Sequence, residues 1–272
     1  MEVNDTFIPT AGAVGLLPMV TYFFFWVAIY AFLGSFIFSI STQASAPPAH
    51  RNSRLLTAII AAVAGISYFL IQGYYQHVLA EAAAVSDTGD RQTLLREAYN
   101  AINQFRYMDW AITTPLLLLH MVFMLPVRFS VIKHQLMLLL AADFFMILTG
   151  YIGEQQLSFD NEILVGPRLI WGAVSTVGYV AIPYILYQLW KTYGSQALPE
   201  AQWGFRLMAL TTVTFWGVYP IGYILTTLSV DTSLIHISFT IADLINKVGV
   251  ALIAYLVSIK TAERQSSTAV QA

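Results

Sequence analysis

Residues 14–40 read VGLLPMVTYFFFWVAIYAFLGSFIFSI. No Asp, Glu, Lys or Arg occurs in them, nor anywhere between Asp5 and Arg51. A helix crosses the hydrocarbon core of a bilayer with about 20 apolar residues, so this stretch is long enough to span. Glu2 and Asp5 precede it and no Lys or Arg does. A signal peptide would have a basic start, so we read a retained transmembrane helix.

Six more stretches qualify, at 54–79, 105–126, 131–152, 166–190, 205–229 and 234–259. The expectation is an all-α membrane protein, a bundle of seven transmembrane helices forming one domain over 1–272. Composition agrees. The chain is 57% hydrophobic and 10% charged, whereas a soluble domain carries about 25% charged residues. Net charge is −2, so nothing points to nucleic acid. Cysteine is absent, which excludes disulfides, thiol catalysis and cysteine metal sites.

Basic residues set the orientation, because Lys and Arg collect on the cytoplasmic side. With the N-terminus outside, the inner loops and tail hold Arg51, Arg54, Arg128, Lys133, Lys191, Arg206, Lys260 and Arg264. The outer loops hold Arg91, Arg96 and Arg168. Eight against three favours N-terminus outside and C-terminus cytoplasmic, in a multi-pass protein of the cell (inner or plasma) membrane. The connection at 80–104 carries Leu94, Leu95, Ala98, Ala101, Ile102 and Phe105 at helical spacing. It is either an amphipathic helix on the outer surface or an outward extension of the third span.

Ionisable groups in hydrocarbon are costly and tend to be functional. This reading finds Arg106, Asp109, Asp143, Asp243 and Lys247 in the spans. Asp243 and Lys247 stand four apart, on one helix face. Asp109 and Thr113 do the same. A buried ion pair that sets helix register is one reading. A lysine held charged by two carboxylates, and available for a Schiff base to an apolar aldehyde, is the other.

Four segments carry a resemblance. They are Arg106-Tyr107-Met108-Asp109-Trp110-Ala111-Ile112-Thr113-Thr114-Pro115-Leu116-Leu117-Leu118-Leu119, Ala142-Asp143-Phe144-Phe145-Met146-Ile147-Leu148-Thr149-Gly150, Trp216-Gly217-Val218-Tyr219-Pro220, and Asp243-Leu244-Ile245-Asn246-Lys247-Val248-Gly249. In order and placement they resemble the third, fourth, sixth and seventh helices of the microbial rhodopsins, and among these the bacterial proteorhodopsin and xanthorhodopsin-like proton pumps. The resemblance covers essentially the whole chain. It implies all-trans retinal on Lys247 as a protonated Schiff base, and a light-driven outward proton pump. Asp109 would be main counter-ion and first proton acceptor, Asp243 second counter-ion, and Arg106 the gate outside them. Thr113 would hydrogen-bond Asp109. Trp110, Thr114, Leu117, Met146, Gly150, Ser175, Trp216, Tyr219, Pro220 and Tyr223 would line the pocket, and Leu117 implies green absorption. The family also implies a homo-oligomer, trimer or pentamer, in the lipid bilayer.

The chain departs from the pattern at several points. His120 stands where pumps keep the carboxylic acid that reprotonates the Schiff base from inside. It is either that donor or a core imidazole bonded to a neighbouring helix. An aliphatic residue near Leu70 stands where many members have a histidine beside the counter-ion. His77 lies too far outward for that role. Tyr223 replaces a tryptophan, and paired outer glutamates are missing. Gly172 either opens a window for a carotenoid antenna or is close helix packing.

Other functions remain open at this level. A photosensor signalling through a transducer would share the same pocket, though the tail after Lys260 is short and carries no output domain. Anion pumps of the family lack a carboxylate at the Asp109 position. Sodium pumps have an Asn, Asp and Gln trio there. A ligand-activated seven-helix receptor would show Asp-Arg-Tyr or Asn-Pro-x-x-Tyr, and neither occurs.

Overall fold

The structure is a computed structural model that describes residues 7–228 and 230–271. Glu2 and Asp5 lie outside these residues, as does Ser229, the last position of the expected sixth span. The helices are α1 (Ala11–Val14), α2 (Leu16–Ser41), α3 (Pro48–Ala84), α4 (Thr88–Phe123), α5 (Phe129–Glu154) and α6 (Val165–Tyr193). They continue with α7 (Pro199–Thr214), α8 (Val218–Leu225), α9 (Thr232–Leu244) and α10 (Val250–Gln271). A π-helical turn, Ile245–Gly249, joins α9 to α10. The only β-structure among the described residues is an isolated antiparallel bridge, Leu157 to Ile163.

Seven long rods result: α2, α3, α4, α5, α6, α7 with α8, and α9 with α10. Each packs on the next in chain order, and contact of α2 with α9 closes the ring. Six rods are long and apolar enough to cross a membrane. The exception is α4, whose N-terminal half carries Asp90, Arg91, Arg96 and Glu97 and whose C-terminal half carries Arg106, Asp109 and His120. Phe23, Ile66, Ile170 and Val177 are each at least 60% exposed on the outside of the ring. An apolar exterior around a core of charged groups belongs in lipid. The protein is a multi-pass membrane helical bundle.

The expected spans at 14–40, 131–152 and 166–190 agree with α2, α5 and α6 to within a few residues. The others need correction. The expected second span, 54–79, is a helix over Pro48–Ala84. Of the 80–104 segment, residues 80–84 end α3 and Thr88 onward belongs to α4, a continuous extension of the third span rather than a separate surface helix. The Asp87 carboxylate caps it by accepting from the Asp90 amide at 3.0 Å. Ala98, Tyr99 and Ile102 are buried, so the extension packs inward.

The expected helix at 205–229 starts at Pro199 and breaks at Phe215–Gly217. Pro220 has no amide to give the Trp216 carbonyl, and its ring crowds that group. The chain tightens instead, with the Gly217, Val218 and Tyr219 amides donating to carbonyls three residues back. The expected helix at 234–259 carries the π turn. Such turns occur often at functional sites, and this one carries Lys247.

Candidate functional site

The π turn delivers Lys247 into the middle of the ring, 4% exposed. Its Nζ donates to Asp109 Oδ2 from α4. It also lies 3.3 Å from Asp243 Oδ1, one turn back on α9. One ammonium therefore faces two carboxylates.

The two acids are held very differently. Asp243 accepts from the Tyr68 hydroxyl at 2.7 Å, the Tyr219 hydroxyl at 2.7 Å and Trp110 Nε1 at 3.2 Å. Arg106 Nη1 stands 3.6 Å from its other oxygen. Asp109 has Lys247 on Oδ2, and no protein group bonds Oδ1. Asp243 is thus held by several donors, whereas Asp109 meets Lys247 and keeps one oxygen without a protein partner.

Arg106 is fully enclosed and donates to the Tyr68 hydroxyl at 2.8 Å and Thr240 Oγ1 at 3.4 Å. The rings of Tyr68, Phe239 and Phe25 surround its guanidinium at 5.3–5.8 Å. Thr113 bonds Asp109 through the main chain rather than the carboxylate. Its hydroxyl donates to the Asp109 backbone carbonyl at 3.0 Å, the usual bond of a helical threonine to the preceding turn. Thr114 bonds the Trp110 carbonyl at 2.7 Å and Asp143 Oδ2 at 2.9 Å, tying α4 to α5.

A cavity runs from Lys247 between α4, α5, α6 and the α7–α8 break. Its lining is mostly apolar, with the Lys247 ammonium and the Asp243 carboxylate among the few charged groups on its wall. All the expected lining residues border it: Trp110, Thr114 and Leu117 from α4, Met146 and Gly150 from α5, and Ser175 from α6. Trp216, Tyr219, Pro220 and Tyr223 complete them. Gly172 lies on the same wall, but a Cβ there would meet the Tyr223 ring at 2.7 Å. Close approach of Tyr223 therefore accounts for this glycine.

His120 is completely buried eleven residues beyond Asp109, and its Nε2 lies 2.7 Å from Ser53 Oγ on α3. It is bonded to a neighbouring helix, and Nδ1 has no protein partner. Leu70 does not face the acids, being 48% exposed on the outer face. The α3 residue that reaches them is Tyr68. His77 is a surface residue, 3.3 Å from Glu81.

Arg168, expected in an outer loop, is instead buried and bonded to Glu154, which is also buried. Asn103 Nδ2 donates to Glu154 at 3.3 Å, and Glu154 borders the cavity. The Tyr223 hydroxyl donates to the Arg168 carbonyl at 2.6 Å. Removing one partner of a buried pair costs about 3–5 kcal/mol. Glu154→Ala is therefore expected to lower the thermal midpoint measured by loss of helical circular dichroism. An unchanged midpoint would show that the pair contributes nothing.

Known proteins place this geometry. The family model described as "Bacteriorhodopsin-like protein" matches residues 19–261. The green-light absorbing proteorhodopsin of Gamma-proteobacterium EBAC31A08 is 25% identical over 243 residues, 87% of this chain and 85% of that one. The bacteriorhodopsin of Halobacterium salinarum is 26% identical over 229 residues, 81% of this chain and 77% of that one. Among solved structures, that of xanthorhodopsin, described as a light-driven ion pump with dual chromophore, superposes with a TM-score of 0.73 at 24% identity. It covers 92% of this chain and 96% of its own. With a lysine, two carboxylates and an aromatic cavity at the centre of the matched helices, the chain belongs to the bacteriorhodopsin-like protein family and is a microbial rhodopsin.

Proposed function

We propose that the protein binds retinal through Lys247 and works as a light-driven outward proton pump. The observation that carries the reading is the asymmetry of the two acids. Asp243 is fixed by two tyrosines, a tryptophan and an arginine, while Asp109 is held by Lys247. The fit to retinal rests on the cavity. It is largely apolar, a buried lysine stands on its wall, and Trp110, Trp216 and Tyr219 border it. When bound, retinal would supply light absorption and a change of shape. The protein residues supply orientation and electrostatics. The proton on Lys247 Nζ would pass to Asp109. Asp243, with its bonds intact, would keep a negative charge near Nζ throughout. Membership of the bacteriorhodopsin-like family supports a light-driven pump, and Asp109 beside Lys247 supports the proton as its cargo.

Outward direction requires the N-terminus outside, with α4 as the seventh span and residues 1–272 as one domain. Arg54 and Arg168 are buried and drop out of the loop count, which leaves seven basic residues against two and the same orientation. Assembly into trimers or pentamers belongs to the same reading, as does green absorption from Leu117. Adding all-trans retinal to the purified protein should produce one visible band at one retinal per chain. No band in the visible range would contradict the reading.

His120 is the proposed inner donor, set eleven residues inward of Asp109, which is about 16 Å along the helix. Ser53 orients its ring. His120→Gln is expected to slow the second half of the photocycle by about a hundredfold, make it depend on pH, and respond to added azide. Wild-type recovery across pH 5–9 would make His120 structural. For a carotenoid antenna at Gly172, the test is a fluorescence excitation spectrum with hydroxylated carotenoids. The Tyr223 ring over Gly172 supports packing, so no energy transfer is expected. A carotenoid band in that spectrum would show that the window is open.

A further inference from the structure

One buried titratable group takes no part in the mechanism above. His236 stands on α9, seven residues before Asp243 and four before Thr240. The three share one helix face, with His236 about 10 Å from Asp243 towards the N-terminal end of α9. It is 1% exposed. Its ring lies 4.8 Å from that of Tyr99, 5.5 Å from Phe25 and 6.1 Å from Tyr75. Neither ring nitrogen bonds a protein group, and the Tyr99 hydroxyl and Arg106 Nε are likewise buried without a protein partner. Burying such groups is costly unless internal water satisfies them. A phenylalanine would fill the same space among the rings without that cost, so packing does not explain the histidine.

The neighbours leave its charge unpaired. From α2 comes Phe25, and α2 carries no charged residue. From α3 comes Tyr75, and from α4 come Tyr99 and Arg106. From α8, Gly222 packs on Phe239 and Ile235 of α9, and α8 carries no charged residue. Among the described residues no carboxylate pairs with His236, and Asp243 lies beyond Arg106 on the same helix. Arg106 bonds Thr240, whose hydroxyl donates to the His236 carbonyl at 2.8 Å. The polar line Lys247, Asp243, Thr240, His236 therefore runs from the site away from His120.

We infer that His236 holds the outgoing proton between the Arg106 cluster and the outer surface. This rests on the outward-pump reading. A proton carried by water beside Arg106 adds to an unpaired imidazole nitrogen, forming one N–H bond as one O–H bond breaks. The resulting imidazolium gives that proton to outer water and returns to the neutral form, and no electrons are exchanged.

The test uses the retinal-loaded protein in lipid, with a pH-indicating dye in the outer solution and flash excitation. In the wild type, release should precede uptake. In His236→Phe, which keeps a ring in place, and in His236→Gln, release should come about tenfold later and follow uptake. A second arm records light-minus-dark infrared spectra of protein carrying ¹⁵N-labelled histidine, in the wild type and in His120→Gln. A label-sensitive imidazolium band that survives in His120→Gln and vanishes in His236→Phe supports the inference. Coloured His236 variants that release on the wild-type schedule would overturn it, as would a His120→Gln protein without any such band. A coloured wild type that releases no proton would overturn the pump reading itself, and is recognised before any variant is made.

Discussion

Lys247→Ala is expected to give a folded protein with no visible absorption in the presence of retinal. Among the described residues, Lys247 is the only lysine bordering the cavity. The fold should survive, because the ring rests on apolar contacts along seven rods. The variant does leave Asp109 and Asp243 facing each other without the cation between them. Arg106, Tyr68, Tyr219 and Trp110 still hold Asp243, so the repulsion falls mainly on Asp109. Helical circular dichroism and a retinal titration check this. A visible band without an added amine would place the attachment elsewhere.

Asp109→Asn is expected to move the absorption band to the red and lower transport by about a hundredfold or more, the scale set by losing a proton acceptor. The colour change follows from charge. A carboxylate beside the cation stabilises the ground state, where positive charge sits near Nζ, more than an excited state in which that charge has moved away. Removing it narrows the gap. Asp243→Asn should be the more disruptive change for the site, because two tyrosine hydroxyls, an indole N–H and Arg106 all lose their acceptor. Spectra and light-driven pH changes of both variants separate the roles. Unchanged colour and transport in Asp109→Asn would contradict its role as acceptor.

The chemistry of the centre was legible in the sequence because charge in an apolar stretch has few explanations. Lys247 and Asp243, four apart, announced a shared face, and the structure pairs them. The expected pocket residues came from the resemblance, and all border the cavity. What escaped notice did so for local reasons. Glu154 and Arg168 sit at the ends of apolar stretches, where a charge reads as loop, and only the inward turn of α5 and α6 buries them. Tyr68 is one tyrosine among fifteen, and nothing in its neighbours marks it as the residue that bonds Asp243. The π turn at Lys247 arises from backbone hydrogen bonding that side-chain periodicity does not encode. The break at Phe215–Gly217 could have been read from Pro220, whose missing amide falls one turn after Trp216. The N-terminal run of α4 shows only helical spacing in the sequence, which a rod and a surface helix share.

The most direct test of the central claim is the pH of an unbuffered suspension of cells expressing the chain with retinal, recorded in light and darkness, with and without a protonophore. The account predicts acidification of the medium in light, its reversal in the dark, and its abolition by the protonophore and in Asp109→Asn. Coloured cells that leave the pH unchanged in light, or that make the medium alkaline by a protonophore-sensitive route, would contradict it.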